Sequence, residues 1–246
     1  MNRTFFTLTA TLYRLIQRVI VLDISKLVVC DIGTKSDDVG THPDATFRFI
    51  TAEDVLRGAE DPELDLQPEM ASRLASGVDI CAGGFADGKL IGYTWIAFQG
   101  IEAEHNSGKD QNSGIAVSFN ADSAFLYKGY TKRAYRKKGL SCMLAWMANQ
   151  LRENHGINQL ITTTEWLNVP AYRALAAVGF KFVGHTWRAI VLGMPIEWGP
   201  RGAADHGIRL GKHAVVPERK LANHEAQADR GSANEESLVS SGSAGV

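Results

Sequence analysis

The chain has 246 residues, 45% of them hydrophobic and 22% charged, with 24 glycines, 7 prolines and 3 cysteines. These are the proportions of ordinary globular proteins, and they exclude a wholly disordered, collagen-like or disulfide-scaffold chain. A formal charge of −1 argues against a general polyanion binder but leaves room for a local basic patch, and Cys30, Cys81 and Cys142, odd in number and far apart, suit free thiols in a reducing, cytoplasmic setting.

From the start of the chain, Phe5, Leu8, Leu12, Leu15, Ile16, Val19 and Leu22 recur at helical spacing, with Arg14, Gln17 and Arg18 on the opposite side. The pattern predicts an amphipathic helical extension over residues 1–45. Arg14, Arg18 and Asp23 make it a poor transmembrane span, and it lacks the small-residue cleavage site of a signal peptide. Two readings stand: an extra helix packed on the main domain, or an interfacial helix over residues 5–29 resting on the inner membrane surface with its arginines at the headgroups.

The main domain is expected over residues 46–198. Residues 47–50 form a short strand, Thr51-Ala-Glu-Asp54 caps a helix, and residues 68–75 make a second short helix ending at Gly77. Strands over 78–86 and 89–98 are joined by Asp87-Gly88, a strong two-residue hairpin signal. A polar connection rich in Gly, Asn and Ser follows over 99–122, with room for a strand at 115–119, and another strand covers 123–131. Gly139 then opens a helix with the stripe Leu140, Leu144, Met147, Leu151, ending before Gly156. Residues 159–165 are a threonine-rich strand, Asn168 caps a helix over 169–178 that Gly179 terminates, and residues 181–192 read as one or two final strands. The order is that of an α/β domain with a mixed sheet. From Pro200 onward there is no Phe, Trp or Tyr, and residues 199–246 read as a disordered tail.

Chemistry concentrates after the strand at 123–131. Lys128, Lys132, Arg133, Arg136, Lys137 and Lys138 run directly into Gly139 and a helix N-terminus. Free backbone N–H groups and the helix dipole make such a place an anion site, and a glycine lets the backbone approach closely. No Gly-Lys-Ser/Thr follows, so this is not a Walker loop. A nucleic-acid patch is the weakest reading, because the run lacks interleaved aromatics.

These residues resemble a family. Residues 135–141, Tyr-Arg-Lys-Lys-Gly-Leu-Ser, look like the Arg/Gln-x-x-Gly-x-Gly/Ala motif of the GNAT acetyltransferases. Residues 168–180, Asn-Val-Pro-Ala-Tyr-Arg-Ala-Leu-Ala-Ala-Val-Gly-Phe, look like the second family block, Asn-x-x-Ala…Gly-Phe. The resemblance covers roughly residues 47–193. It implies a GNAT-like three-layer fold, with a mixed, mostly antiparallel sheet of six to seven strands flanked by helices. It also implies transfer of an acyl group from acetyl-coenzyme A, or another acyl-coenzyme A, to the amine of a small molecule or cell-surface precursor. No metal and no nucleic acid are expected.

By that resemblance Tyr130, Thr131 and Lys132 would serve the thioester carbonyl and pantetheine arm. Arg136, Lys137, Lys138, Gly139, Leu140 and Ser141 would hold the pyrophosphate, and Asn168 would contact the pantetheine or ribose, although a plain helix cap explains it equally well. Two departures stand out: Ser141 replaces the usual Gly or Ala, and Leu175 occupies the position where the family often carries a thiolate-protonating tyrosine. Tyr172, one turn earlier, is a substitute or a packing residue. Candidates for the base are Glu165 at the end of its strand and Tyr127, with Glu102, Glu104 and His105 in the long loop as residues that meet the acceptor or are simply solvated. Cys142 reads as core. Leu175 and the lack of an obvious base motivate the alternative of a catalytically silent coenzyme-A-binding or regulatory module.

Overall fold

The computed structural model describes residues 11–13, 21–34, 44–77, 79–106, 114–136, 139–191 and 194–216. Its strands are β1 (Val21–Asp31), β2 (Thr46–Phe49), β3 (Asp79–Ala86), β4 (Lys89–Phe98), β5 (Gly100–Ile101), β6 (Val117–Ser118), β7 (Ser123–Thr131), β8 (Gln159–Glu165), β9 (Lys181–Val191), β10 (Met194–Trp198) and β11 (Arg209–Leu210). Its helices are α1 (Ala52–Ala59), α2 (Met70–Ala75), α3 (Gly139–His155) and α4 (Val169–Ala177). Eight strands form one sheet in the order β10-β9-β1-β8-β7-β4-β3-β2, and β11-β6-β5 form a small second sheet. Among the described residues β7 and β8 make the one parallel pairing; every other ladder is antiparallel. The fold is therefore α/β, with a mixed, mostly antiparallel sheet between helical layers.

Local chemistry explains the boundaries. Thr51 and Asp54 form a reciprocal capping box at the start of α1. Asp87 (φ 49°) and Gly88 (φ 72°) both lie at positive φ, as the tight turn between β3 and β4 requires. The Asn168 side chain accepts from the Ala171 N–H at the head of α4, 3.2 Å, and Gly179 (φ 103°) ends that helix in a conformation costly for any side chain.

The two faces of the sheet carry separate cores. Leu27, Val29, Trp95, Phe125, Tyr127 and Ile161 pack with Val55, Leu64 and Leu66 from the α1 and α2 layer. Val28, Cys30, Ile96, Leu126 and Leu160 pack with Leu144, Met147 and Leu151 of α3 and Leu175 of α4. The 3.6-residue stripe read in α3 thus faces the sheet, and Cys142 is buried, as its reading as a core residue requires.

Two expectations are corrected. Residues 21–31, read as part of a helical extension, form β1, which lies inside the sheet between β9 and β8. Leu27 and Val29 enter one core and Val28 and Cys30 the other, so β1 is apolar on both faces and shows no alternation. The sheet itself is the mixed, mostly antiparallel one expected, its eight strands close to the six or seven read from the sequence, with β1 as the added member. Second, residues 199–216, read as part of a disordered tail, are folded: Ala203 and Ile208 are buried in the α1/α2-side core, and β11 pairs with β6. Most of the amphipathic N-terminal segment (1–10 and 14–20) and residues 217–246 of the tail lie outside the described residues. Within 11–13 the chain is helical, and the Tyr13 hydroxyl accepts from the Ile24 N–H at 3.2 Å, tying this turn to β1. Among the described residues no helix is long and apolar enough to cross a membrane.

Candidate active site

The parallel ladder between β7 and β8 runs from Ser123↔Gln159 to Leu126↔Thr162 and then stops. Beyond it each strand keeps only its outer neighbour. Tyr127 and Tyr130 of β7 pair with Trp95 and Tyr93 of β4, whereas Thr163 and Glu165 of β8 pair with Leu27 and Ser25 of β1. The two central strands therefore part at their C-terminal ends and open a cleft in mid-sheet, at the side where open α/β sheets place their ligands. At the parting point the Thr162 hydroxyl donates to the Leu126 carbonyl at 2.8 Å.

A bulge shapes the β7 side of the cleft. Tyr127 pairs with Trp95 and Tyr130 with Tyr93, so Lys128 and Gly129 together face Thr94 alone, and Lys128 takes a φ of 45°. Bulges bend a strand and release backbone groups from the ladder. Directly after β7 comes a turn of 3₁₀ helix at Arg133–Tyr135, and then Gly139 at the N-terminus of α3.

The expected cofactor residues fall into distinct groups. Arg136 donates through Nε to the Thr131 carbonyl at 3.0 Å and lies 5.7 Å over the Tyr130 ring, which itself stacks on Tyr93 at 6.1 Å. Thr131, Tyr130 and Arg136 thus form one contiguous wall. Lys132 is engaged elsewhere: its ammonium is 2.5 Å from Asp61, and its backbone N–H donates to the Ile91 carbonyl at 2.8 Å. It therefore tethers the loop after α1 and has no free N–H for a thioester. Lys137 and Lys138 lie outside the described residues, Gly139 and Leu140 open α3, and Leu140 packs partly on the core. Ser141 is half-buried in the first turn of that helix. Asn168 is exposed and spends its side chain on capping α4.

The expected catalytic residues are not brought together. Tyr127 is buried and donates its hydroxyl to Asp79 at 2.6 Å. Burial first, and the Asp79 charge second, hold its phenol far above the ordinary range, so it is no base at neutral pH. Glu165 is exposed at the far side of the cleft, opposite Ser25. Tyr172 packs on the core of α3 and α4 with the Lys26 ammonium 5.1 Å from its ring centroid. Leu175, in the tyrosine position of the family block, is buried.

Sequence reading missed a polar cluster on the α1/α2 face of the cleft. Arg73 of α2 is paired with Asp79 of β3 and donates to the Tyr127 hydroxyl at 3.1 Å. Its Nη2 lies 3.6 Å from Glu102. Asn106 accepts from the Thr163 hydroxyl at 3.1 Å. Only Gly129, a glycine inside a strand, gave a local hint that β7 bends here. Arg73 Nη2, Trp95 Nε1, Glu102 Oε2 and Thr131 Oγ1 are buried atoms with no hydrogen-bond partner. All four belong to residues on or beside the outer part of β7, where a ligand with amide or hydroxyl groups would satisfy them. Among the described residues there is no group of His, Cys, Asp and Glu fit to hold a metal ion.

No protein-family model and no curated protein matches the chain. Solved structures similar to it include a functionally unknown conserved protein from Staphylococcus epidermidis, with 8% identity over 72% of this chain and 65% of that one and a TM-score of 0.45. A tandem GNAT protein from the clavulanic acid biosynthesis pathway has 16% identity over 73% of this chain and 55% of that one, TM-score 0.44. A GCN5-related N-acetyltransferase from Kribbella flavida has 14% identity over 76% of this chain and 62% of that one, TM-score 0.41. The chain spans less than two thirds of the length of each of these structures. At these identities and scores the likenesses do not bear on activity.

Proposed function

We propose that the chain is a coenzyme-A-dependent N-acyltransferase, in its simplest form an acetyltransferase, that passes the acyl group directly to an amine within a ternary complex. The observation that carries this reading is the opening between β7 and β8, whose β7 side leads through a basic loop straight into the N-terminus of α3. A strand-parting cleft admits an extended thioester arm, and a basic helix start binds a pyrophosphate.

The residues present fit acetyl-coenzyme A. Thr131 offers an unpaired buried hydroxyl to the amide-bearing arm. Arg136 and Gly139 meet the phosphates together with the helix dipole, with Lys137 and Lys138 adjacent in sequence. The donor supplies an activated acyl carbon; orientation in the cleft and exclusion of water are the protein's part. Backbone N–H groups released by the Lys128–Gly129 bulge are the donors for the carbonyl oxygen as charge develops there.

Isothermal titration with acetyl-coenzyme A tests the reading, and no heat of binding at high micromolar ligand removes it. Gly139→Glu is expected to weaken binding at least about 100-fold, because a carboxylate and its bulk enter the phosphate site. A glutamate at a helix N-terminus suits the dipole, so the variant's thermal unfolding should stay close to that of the parent.

A further inference from the structure

Resting on the acyl-transfer reading, we propose that His105 takes the proton from the acceptor amine, held in register by Glu104 and by a turn that bridges the two parted strands. That turn follows β5. The backbone N–H groups of His105 and Asn106 both donate to the Glu102 carbonyl, at 3.1 and 3.2 Å, which folds residues 102–106 tightly. One end of it is tied to β7: Glu102 lies 3.6 Å from Arg73, which donates to Tyr127. The other end is tied to β8, because Asn106 accepts from Thr163 at 3.1 Å and donates to the Ile115 carbonyl at 2.8 Å.

The placement follows from the ladder. Tyr127 and Thr163 are the first residues of β7 and β8 beyond their last shared pair, Leu126↔Thr162. A turn anchored to both therefore spans the mouth of the cleft on the α1/α2 face, and His105 sits between its anchors. This is the face opposite α3, so an acceptor reaching His105 meets the donor from the side away from the main body of that helix. The Nε2 atom of His105 is 3.2 Å from Glu104 Oε1, which leaves the Nδ1 lone pair for the substrate. A carboxylate holding one ring nitrogen while the other takes a proton is a common way to fix an imidazole base.

The surroundings favour a neutral ring. Burial first, and the Arg73 guanidinium second, push the His105 pKa below its ordinary value against the opposing pull of Glu104 and Glu102. The charged groups facing it are Arg73 from α2, Lys128 from β7, and Glu102 and Glu104 from its own turn. Glu102 Oε2, which faces Arg73 Nη2 at 3.6 Å but accepts no hydrogen bond, has a lone pair to offer a cationic primary amine as well.

In the step, His105 removes one proton from the arriving ammonium group and later returns it to solvent. The freed nitrogen lone pair forms the new C–N bond to the acyl carbon. The electron pair of the C–S bond leaves with sulfur, and the second ammonium proton ends on that thiolate by way of solvent. An amide, a free thiol and one released proton balance the reaction.

The test uses the full chain, acetyl-coenzyme A and a panel of primary amines (ethanolamine, glucosamine, lysine methyl ester and spermidine), with free-thiol release followed from about pH 5 to about pH 9. His105→Gln should bind acetyl-coenzyme A as the parent does. Its turnover should be roughly 10² to 10⁴ times slower and the acidic limb of its pH profile absent. Added imidazole should restore part of the rate to His105→Ala, which a purely structural role would not allow. An unaltered acidic limb or a rate close to the parent's in His105→Gln overturns the proposal. So does a parent protein that binds acetyl-coenzyme A yet releases thiol with none of the amines. Absence of acetyl-coenzyme A binding by the parent removes the acyl-transfer reading, and this assignment with it.

Discussion

Asp54 is a charge kept 4% exposed, and its surroundings show why it is tolerated. Its carboxylate accepts from Arg48 at 2.6 and 2.8 Å, from Arg57 at 2.9 Å, and from the Thr51 N–H and hydroxyl at 2.8 and 3.0 Å. These bonds, that of Arg48 foremost, hold the carboxyl well below the usual carboxylate range. A depressed folded-state pKa contributes stability that is fully present above the unfolded value of about 3.9 and is lost as pH falls through the folded value. Asp54→Asn should cost about 2 kcal/mol at neutral pH, read by urea unfolding. Below about pH 4 the melting temperature of the parent should fall more steeply than that of the variant; parallel slopes would assign the acid sensitivity to other groups.

At the scale of elements, the parting of β7 from β8 depends on how its last pair is finished. A parallel ladder that stops leaves a carbonyl without its next partner, and Thr162 fills that role for Leu126. Thr162→Val keeps the shape and removes the donor, so it should destabilise the protein by about 1–3 kcal/mol, measured by denaturant unfolding. A change within a few tenths would mean that the Leu126 carbonyl is satisfied some other way. The elements that the sequence made legible are those with a local signature. These are the stripe of α3, the Asp87-Gly88 turn, the Asn168 cap and the basic run into Gly139. β1 had none, because it is apolar on both faces and follows an apolar segment with helical spacing. The two-residue strands β5, β6 and β11 are too short to carry a period. Within the site, the basic run and the start of α3 could be read from the chain because their residues are consecutive. The links from Arg73 to Asp79 and Tyr127, and from Asn106 to Thr163, join residues far apart in the chain, and no local spacing encodes them.

At the scale of the whole molecule, the described residues on both flanks of the motif-bearing region belong to the fold. A chain starting at residue 44 would lack β1 and so deprive β8 and β9 of their shared neighbour. It should show no cooperative thermal transition by circular dichroism, whereas a melt like the parent's would mean the sheet can close without β1. A chain ending at residue 198 loses buried Ala203 and Ile208 and the pairing of β11 with β6. It should be about 3 kcal/mol or more less stable than one ending at 216, by urea unfolding. The position of β1 also dictates an order of events. Its partners are residues 159–165 and 181–190, so on the ribosome β1 waits for strands made long after it. Until then Leu27, Val28 and Val29 have no ladder to join, and an unpaired apolar strand is a target for aggregation and for chaperones. Closing the sheet is a late, long-range event of the kind that folds slowly. β1 thus cannot take its place in the sheet during synthesis until β8 and β9 have been made.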